Sequence, residues 1–223
     1  MAVLSPSLPV ASEYRSDDAR PAARERLAEF GARAATCALF VVLATQIGAE
    51  YGKTGHLTGL LLLVSELLVV LLTVVRRPAA IVDRAMTTRM VATASMAGIY
   101  FIRPVGTALL PDLVTASVSA VGLLIIIAGK LTLGRSFGLM PANRGVVCRG
   151  IYRVVRHPIY AGYLVTHAAF LVAHPTTWNC GLILTSDAAL LVRAMFEERT
   201  LARDAEYADY MQQVRWRVLP GCF

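Results

Sequence analysis

The run LTGLLLLVSELLVVLLTVV, residues Leu57–Val75, carries the clearest structural signal in the chain. A helix rises about 1.5 Å per residue, so this run reaches about 28 Å and nearly matches the ~30 Å hydrocarbon core of a bilayer. Glu66 is its only ionisable residue. The run therefore predicts a helix that spans a membrane.

Five further apolar segments are predicted to cross the membrane with it. They cover residues 32–49, 90–110, 113–133, 160–173 and 179–196, and Arg103 and Pro104 interrupt the second of them. The polar stretch HPTTW, residues 174–178, separates the last two and predicts a helical hairpin. The expected fold class is all-α, a polytopic membrane bundle of about six transmembrane helices. A polar lead, 1–31, precedes four of these helices, 32–133, and a C-terminal region, 134–223.

The composition agrees with a membrane protein. Hydrophobic residues make up 56% of the chain before its 16 glycines are counted, whereas soluble domains reach only about 45–50% with glycine included. The four cysteines are scattered without a CxxC pair, so neither a metal site nor a disulfide framework is expected. No GxGxxG turn follows a strand pattern, which leaves a dinucleotide-binding fold without support.

The arginines give an independent indication of topology. They cluster in the lead, in the connections after the second and fourth helices, and in the tail. Six helices place all these segments on one side, which the positive-inside rule identifies as the cytoplasm, so both termini are predicted to be cytoplasmic. The net charge of +7 follows from this topology and from attraction to anionic membrane lipids, and nucleic acid is not an expected partner.

Polar chemistry is concentrated in the C-terminal region. The stretch RVVRHPIYAG, residues 153–162, leads into an apolar segment, and Pro158 there biases His157 towards an extended conformation and breaks the helical pattern. Further on, Arg193 and Glu197 lie four residues apart, so they share a helix face and can pair, while Glu198 lies on the neighbouring face. Carboxylates beside a histidine–arginine loop can bind a cation, an anion or both.

Three motifs in this region resemble those of one family. GVVCRGIYRVVRHPIYAG, RAMFEERTL and AEYADYMQQVRWRVLP follow one another between residues 145 and 220. In this order and spacing they resemble the isoprenylcysteine carboxyl methyltransferase and phospholipid methyltransferase group of integral membrane enzymes. The resemblance covers residues 131–220 and implies methyl transfer from S-adenosylmethionine without the soluble methyltransferase fold.

The resemblance also implies a cytosol-facing cofactor pocket within a catalytic region, residues 134–223. The cofactor contacts that it implies are Arg144, Val146, Val147, Tyr152, His157, Pro158, Ile159 and Tyr160, with Glu197 closing from the tail. Family members can have histidine where this chain has Arg144, which is a departure. Arg193 matches the substrate-side arginine of the family, so Arg193 and Glu197 are the expected catalytic pair.

The chemistry of the cofactor explains these residue types. S-adenosylmethionine carries a sulfonium, an ammonium and a carboxylate, so its site needs negative charge, which Glu197 or Glu198 provides, and hydrogen-bond donors such as Arg156 and His157. Tyr152 and Tyr160 offer aromatic faces to adenine or to the sulfonium. Arg156 is alternatively a simple anchor at the end of a membrane helix.

The methyl acceptor is expected to be a lipid or lipidated molecule within the membrane. Arg193 favours a carboxylate, such as a prenylcysteine-like carboxyl group, because a guanidinium binds a carboxylate through two hydrogen bonds. The amine of a phospholipid is the other acceptor that the family handles, and it must lose a proton, for which Glu197, Glu198 or His157 is the candidate base.

Two other classes of protein remain open at this point. A membrane sterol or lipid reductase has a similar C-terminal helical arrangement but uses NADPH. A non-catalytic membrane module or small transporter is favoured if Glu66, His167 and Asp187 line a path, because ionisable residues at membrane depth often mark one. The alternative for these acids is a hydrogen bond between helices. Tyr207 and Tyr210 are interpreted as packing residues.

Overall fold

A computed structural model describes residues 57–77, 81–82, 85–103, 105–138 and 142–222, together with scattered positions between 30 and 52. Its helices are α1 (Leu57–Val75), α2 (Met86–Ala97), α3 (Asp112–Leu133), α4 (Pro158–Ala173), α5 (Thr177–Leu201) and α6 (Ala205–Gln213). Two antiparallel strands of two residues each, β1 (Ile81–Val82) and β2 (Ala142–Asn143), are the only strands in the described ranges. The fold class is therefore all-α, as predicted. Most of the lead, 1–31, lies outside the described residues, and the described part of 32–49 is helical.

Among the residues that the structure describes, two helices are long and apolar enough to cross a membrane, Asp112–Ser136 and Thr177–Leu201. Leu61–Val75 and Pro158–Ala173 are shorter apolar helices. These features are those of a membrane protein, while the count of six membrane helices and their orientation stay predictions.

The segment expected as a span at residues 90–110 is not one continuous helix. Helix α2 begins at Met86 and ends at Ala97, and a 3-10 turn continues it to Phe101. The following backbone is irregular, and Asn179 satisfies it: the Arg103 N–H donates to Asn179 Oδ1 at 3.0 Å, and Asn179 Nδ2 donates to the Arg103 carbonyl at 2.8 Å. Because proline disfavours helical backbone at the preceding residue, Pro104 explains why no helix resumes at Arg103.

The predicted hairpin is confirmed, with its helix boundaries shifted. Helix α4 ends at Ala173 and α5 begins at Thr177, where the Oγ1 of Thr176 caps the helix by accepting from the N–H of Asn179 at 3.1 Å. Pro158 is the first residue of α4, a position where its missing N–H is not needed. Since α5 continues to Leu201, the double glutamate lies on a helix that is long and apolar enough to cross a membrane.

Glycines bring α3 and α4 into close contact. A Cβ built at Gly162 would lie 2.6 Å from Cγ1 of Ile126 and 2.7 Å from the carbonyl oxygen of Gly122. A Cβ built at Gly129 would lie 2.7 Å from Cγ1 of Ile159. Small residues permit this approach of two backbones, and the contact fixes where α4 begins relative to α3.

Gly162→Ala is expected to lower the melting temperature by about 5 °C, because the new methyl group meets backbone atoms of α3 and overpacking costs about 1–3 kcal/mol. Gly181→Ala is the matched control in α5, since nothing lies within 4 Å of a Cβ at Gly181. There the better helix propensity of alanine should leave stability equal or slightly higher. Thermal melts of the detergent-purified proteins measure both, and equal melting temperatures would contradict the close helix crossing.

Glu66 and Asp187, the two acids that the sequence predicts at membrane depth, each interact with a residue of another helix. Lys130 of α3 is fully buried. Its Nζ donates to the backbone oxygen of Ser65 on α1 at 3.0 Å and to the Ser65 Oγ at 2.7 Å. Lys130 also interacts electrostatically with Glu66, the neighbour of Ser65 on α1. Asp187 of α5 pairs with Nδ1 of His167 on α4. These pairs agree with the interpretation of Glu66 and Asp187 as links between helices.

Candidate functional site

The bend before α4 is held between the double-glutamate helix and the C-terminal tail. His157 caps α4 with φ −125° and ψ 62°, and Pro158 follows as the first helical residue. The N–H of Arg156 donates to the Trp216 carbonyl at 2.9 Å, and the N–H of His157 donates to the Arg217 carbonyl at 2.7 Å. The tail therefore fixes the backbone of the bend before any side chain is considered.

Glu198 lies at the centre of a buried ionic cluster. Its carboxylate accepts from Nε and Nη2 of Arg156 at 2.7 and 3.2 Å, and from Nε of Arg217 at 2.8 Å. Nε2 of His157 lies 3.3 Å from the same carboxylate, whose side chain is only 4% exposed. Because these groups already occupy both oxygens, the geometry makes Glu198 a residue that joins the bend, α5 and the tail.

Arg156 completes this cluster by reaching the tail backbone. Its Nη1 donates to the Val214 carbonyl at 2.8 Å and lies 3.4 and 3.3 Å from the carbonyls of Met211 and Arg215. Arg156 is buried rather than extended into the headgroup region. Its guanidinium therefore links three segments of the chain through Glu198 and the tail carbonyls.

Glu197 forms the more accessible half of the site. Its Oε1 accepts from the Tyr160 hydroxyl at 2.7 Å and from Nε of Arg193 at 3.1 Å, which confirms the predicted pairing of Arg193 with Glu197. Its Oε2 lies 3.7 Å from Nδ1 of His157. The Glu197 side chain is 16% exposed, against 4% for Glu198. Glu197 is thus the carboxylate of this pair that a ligand can reach more easily.

The ring of Tyr160 is already packed on by two neighbours. His157 stacks on it with a centroid distance of 5.2 Å and an interplanar angle of 14°. The guanidinium of Arg193 lies 5.5 Å from its centroid. The ring therefore positions His157 and Arg193 around Glu197, in addition to donating its hydroxyl.

Tyr152 belongs to a small core with Tyr207 and Tyr210. The three rings are buried, Tyr207 and Tyr210 meet edge to face at 5.5 Å, and the Tyr210 hydroxyl donates to the Tyr152 carbonyl at 2.6 Å. Burial raises the pKa of Tyr152 and of Tyr207, so both phenols stay neutral. This confirms that Tyr207 and Tyr210 are packing residues.

The other residues expected at the cofactor contact different parts of the chain. Val146 and Val147 pack against the tyrosine core and also line a cleft of about 650 Å³. The guanidinium of Arg144 lies against Gly138. The backbone carbonyl of Arg144 accepts from the Ser136 hydroxyl at 3.1 Å. Ile159 packs against Gly129 of α3. The structure thus brings His157, Pro158, Tyr160, Arg193, Glu197 and Glu198 together. It places Val146, Val147 and Tyr152 in the tyrosine core, Ile159 against α3, and Arg144 beside Gly138.

The sequence interpretation missed Arg217, Lys130 and Asn179. Arg217 binds Glu198 from the tail, and no periodic spacing connects these two residues. Lys130 did carry a signal, because a lysine inside a predicted membrane helix requires a partner.

Residues 113–205 match the family model of phospholipid methyltransferase. The matched segment contains the His157–Pro158 bend and both glutamates, and it confirms the resemblance to this family of membrane methyltransferases. The match therefore indicates a membrane methyltransferase. No curated protein matches the chain.

Proposed function

We propose that this protein transfers methyl groups from S-adenosylmethionine to a phospholipid amine, at the site formed by His157, Tyr160, Arg193 and Glu197. The observation that carries the proposal is the distance of 3.7 Å between Glu197 Oε2 and His157 Nδ1. The hairpin of α4 and α5 brings these two atoms together, because His157 precedes α4 and Glu197 lies near the end of α5. The family match over residues 113–205 supports the reaction class.

The charges of the site fit the cofactor. When bound, S-adenosylmethionine supplies a methyl group attached to a positively charged sulfur. Glu197 can hold its cationic groups, because this carboxylate is more exposed than Glu198 and keeps Oε2 turned towards the His157 bend. We retain His157 and Pro158 as further contacts, and assign Glu198 to positioning the bend. Charge supports this fit better than stacking does, because the Tyr160 ring is already packed on by His157 and Arg193.

The surroundings of Arg193 support an amine acceptor over a carboxylate acceptor. Its guanidinium is buried, donates to Glu197 at 3.1 Å and lies over Tyr160, so a carboxylate acceptor would have to compete with Glu197 for it. An amine acceptor does not have to displace Glu197 from Arg193. The carboxylate of Glu197 attracts the amine instead. Its proton must leave before methylation, and His157 and Glu197 are the nearest groups that can accept it.

A carboxylate acceptor, such as a prenylcysteine-like carboxyl group, is the second candidate. The observation in its favour is that the Arg193 fork lies beside Glu197 at the reaction site, where it could bind a carboxylate through two hydrogen bonds. In that case Arg193 would orient the acceptor and no base would be needed.

Titration with cofactors tests the reaction class. Detergent-purified protein should bind S-adenosylmethionine and S-adenosylhomocysteine saturably in calorimetry. Its melting temperature should rise by about 5 °C at a hundredfold excess over Kd. NADPH is the control ligand. Binding of NADPH alone would favour a reductase, and binding of none of the three would reject the proposal.

Base treatment of the methylated product distinguishes the acceptors. Protein supplied with radiolabelled S-adenosylmethionine is offered phosphatidylethanolamine or a prenylcysteine analogue. We expect label that stays on the headgroup through mild alkali, because alkali cleaves the acyl esters of the phospholipid but not an N-methyl bond. Label released as methanol would identify a methyl ester and favour the carboxylate instead.

A further inference from the structure

A cleft of about 650 Å³ lies where α1 and α3 end, and neither Glu197 nor His157 is among the residues that line it. Its walls come from Arg77 after α1, from residues 133–136 at the end of α3, and from the loop 146–149. Arg77, Arg135 and Arg149 line it, and all three are exposed. Among the described residues that line it there is no acid. Partial burial and the carboxylate of Glu206 raise the pKa of the Cys148 thiol.

The chain holds two of these arginines in place. The N–H of Arg77 donates to the Arg135 carbonyl at 2.8 Å, and Nε of Arg135 donates to the Val75 carbonyl at 3.1 Å. Gly145 has a φ of +101°, and a Cβ built on it would lie 3.4 Å from Nη1 of Arg77. The ends of α1 and α3 are thus joined through the residues that carry the positive charge.

The positive charge exceeds what the helix ends require. The C-termini of α1 and α3 each contribute about −0.5 of a charge, and the Glu206 carboxylate near Cys148 contributes about −1. Three guanidiniums contribute about +3, which leaves about +1 for a ligand. The remaining wall is apolar, formed by Leu133, Val146 and Val147. A cleft with one cationic side and one apolar side is suited to an amphiphilic anion.

We propose that this cleft binds the phosphate of a membrane phospholipid. Arginines match a phosphate diester because their planar forks donate two parallel hydrogen bonds to its oxygens. The cleft lies at the ends of two apolar helices. If these helices span the membrane, their ends lie at the depth of the lipid headgroups. The apolar wall then faces the glycerol and the upper acyl chains.

The cleft is connected to the proposed reaction site through the tyrosine core. Val146 and Val147 pack against Tyr152 and its partners, and Tyr207 of that core interacts electrostatically with Glu198. A phospholipid held by its phosphate would therefore present its headgroup beside the methyl-transfer centre. This link to the acceptor rests on the proposed function, whereas phosphate binding in the cleft does not.

Alkylation of Cys148 tests the proposal, because this exposed thiol lines the cleft. Protein in maltoside detergent is treated with N-ethylmaleimide at pH 8, and peptide mass spectrometry follows Cys148, with exposed Cys222 as the internal reference. Dihexanoylphosphatidylglycerol should slow Cys148 alkylation at least fivefold and saturably, without slowing Cys222. Dihexanoylglycerol, which has the same chains without phosphate, should leave both rates unchanged.

The arginine variants identify what holds the ligand. The double variant Arg77→Gln, Arg135→Gln should shift the protection midpoint at least tenfold, because two charged contacts are lost. Arg203→Gln removes an exposed cation outside the cleft and should leave the midpoint within twofold. Melting curves check that the variants are folded. If the double variant unfolds, Arg149→Gln replaces it, with an expected shift of about fivefold.

Four outcomes would overturn the proposal: equal protection by dihexanoylglycerol, protection by inorganic phosphate alone, protection by S-adenosylhomocysteine alone, or no protection by any ligand. Calorimetry with S-adenosylhomocysteine reports on the proposed methyl transfer separately. A protein that binds S-adenosylhomocysteine without phospholipid protection would reject only the phosphate site. The reverse result would reject only the methyl-transfer assignment.

Discussion

Arg156→Ala is expected to lower the melting temperature by roughly 10 °C or more and to abolish activity with it. The change leaves the buried carboxylate of Glu198 without its two-pronged partner and removes a donor from the Val214 carbonyl. Breaking a buried ion pair from one side costs about 3–5 kcal/mol, because the remaining charge is uncompensated. In a chain of this size each kcal/mol corresponds to about 2–4 °C. The fluorescence of Trp216 is a suitable probe, because its carbonyl binds the N–H of Arg156.

Arg153→Ala is the matched control for this prediction. Arg153 lies three residues earlier in the same loop, carries the same charge and is exposed. Its loss should change the melting temperature by less than about 2 °C, as surface substitutions usually do. Arg156→Lys separates charge from shape, since lysine keeps the charge but lacks the planar fork. It should recover less than half of the lost stability. Equal melting temperatures for Arg153→Ala and Arg156→Ala would show that Arg156 is an anchor and not an internal link.

The membrane helices could be predicted because lipid imposes length and composition on them. Leu57–Val75 is helical over the predicted run, and α4 and α5 form the hairpin that HPTTW predicted. The pair Arg193 and Glu197 could also be predicted, because a four-residue spacing on one helix fixes their proximity. In each of these cases the decisive information is local in sequence.

The remaining features depend on contacts between residues that lie far apart in the sequence, and a local sequence pattern does not reveal such contacts. The break after Ala97 depends on Asn179, which satisfies the irregular backbone around Arg103 from another helix. The assignment of Glu198 depends on Arg217 and on tail carbonyls that lie far along the chain. Two adjacent glutamates appear equivalent in the sequence, and only the packing of α5 against the bend and tail separates them.

Glu197→Gln is expected to act mainly on methyl transfer, and Glu198→Gln mainly on the stability of the fold. Glu197→Gln should reduce methyl transfer at least a hundredfold and weaken binding of S-adenosylhomocysteine. Its melting temperature should fall less than that of Glu198→Gln, because Glu197 pairs with one arginine and Glu198 with two. The amide keeps the shape and can still accept from Tyr160 and Arg193, but the site loses the negative charge proposed to hold the cofactor. A loss of this size matches the removal of a charged contact made in the transition state, about 2.7 kcal/mol or more.

Glu198→Gln should instead lower the melting temperature by roughly 10 °C, because the buried Arg156 loses its carboxylate and Arg217 loses the same partner. Below its melting temperature the folded fraction should retain measurable affinity for S-adenosylhomocysteine, since Glu197 remains intact. Both variants differ from the wild type by one amide nitrogen on neighbouring residues, so they control for each other in melting, calorimetry and methyl transfer. If Glu197→Gln transferred methyl groups at the wild-type rate, Glu197 would have no part in holding the cofactor. If instead both variants lost stability equally, the division between a ligand-binding and a structural carboxylate would be wrong.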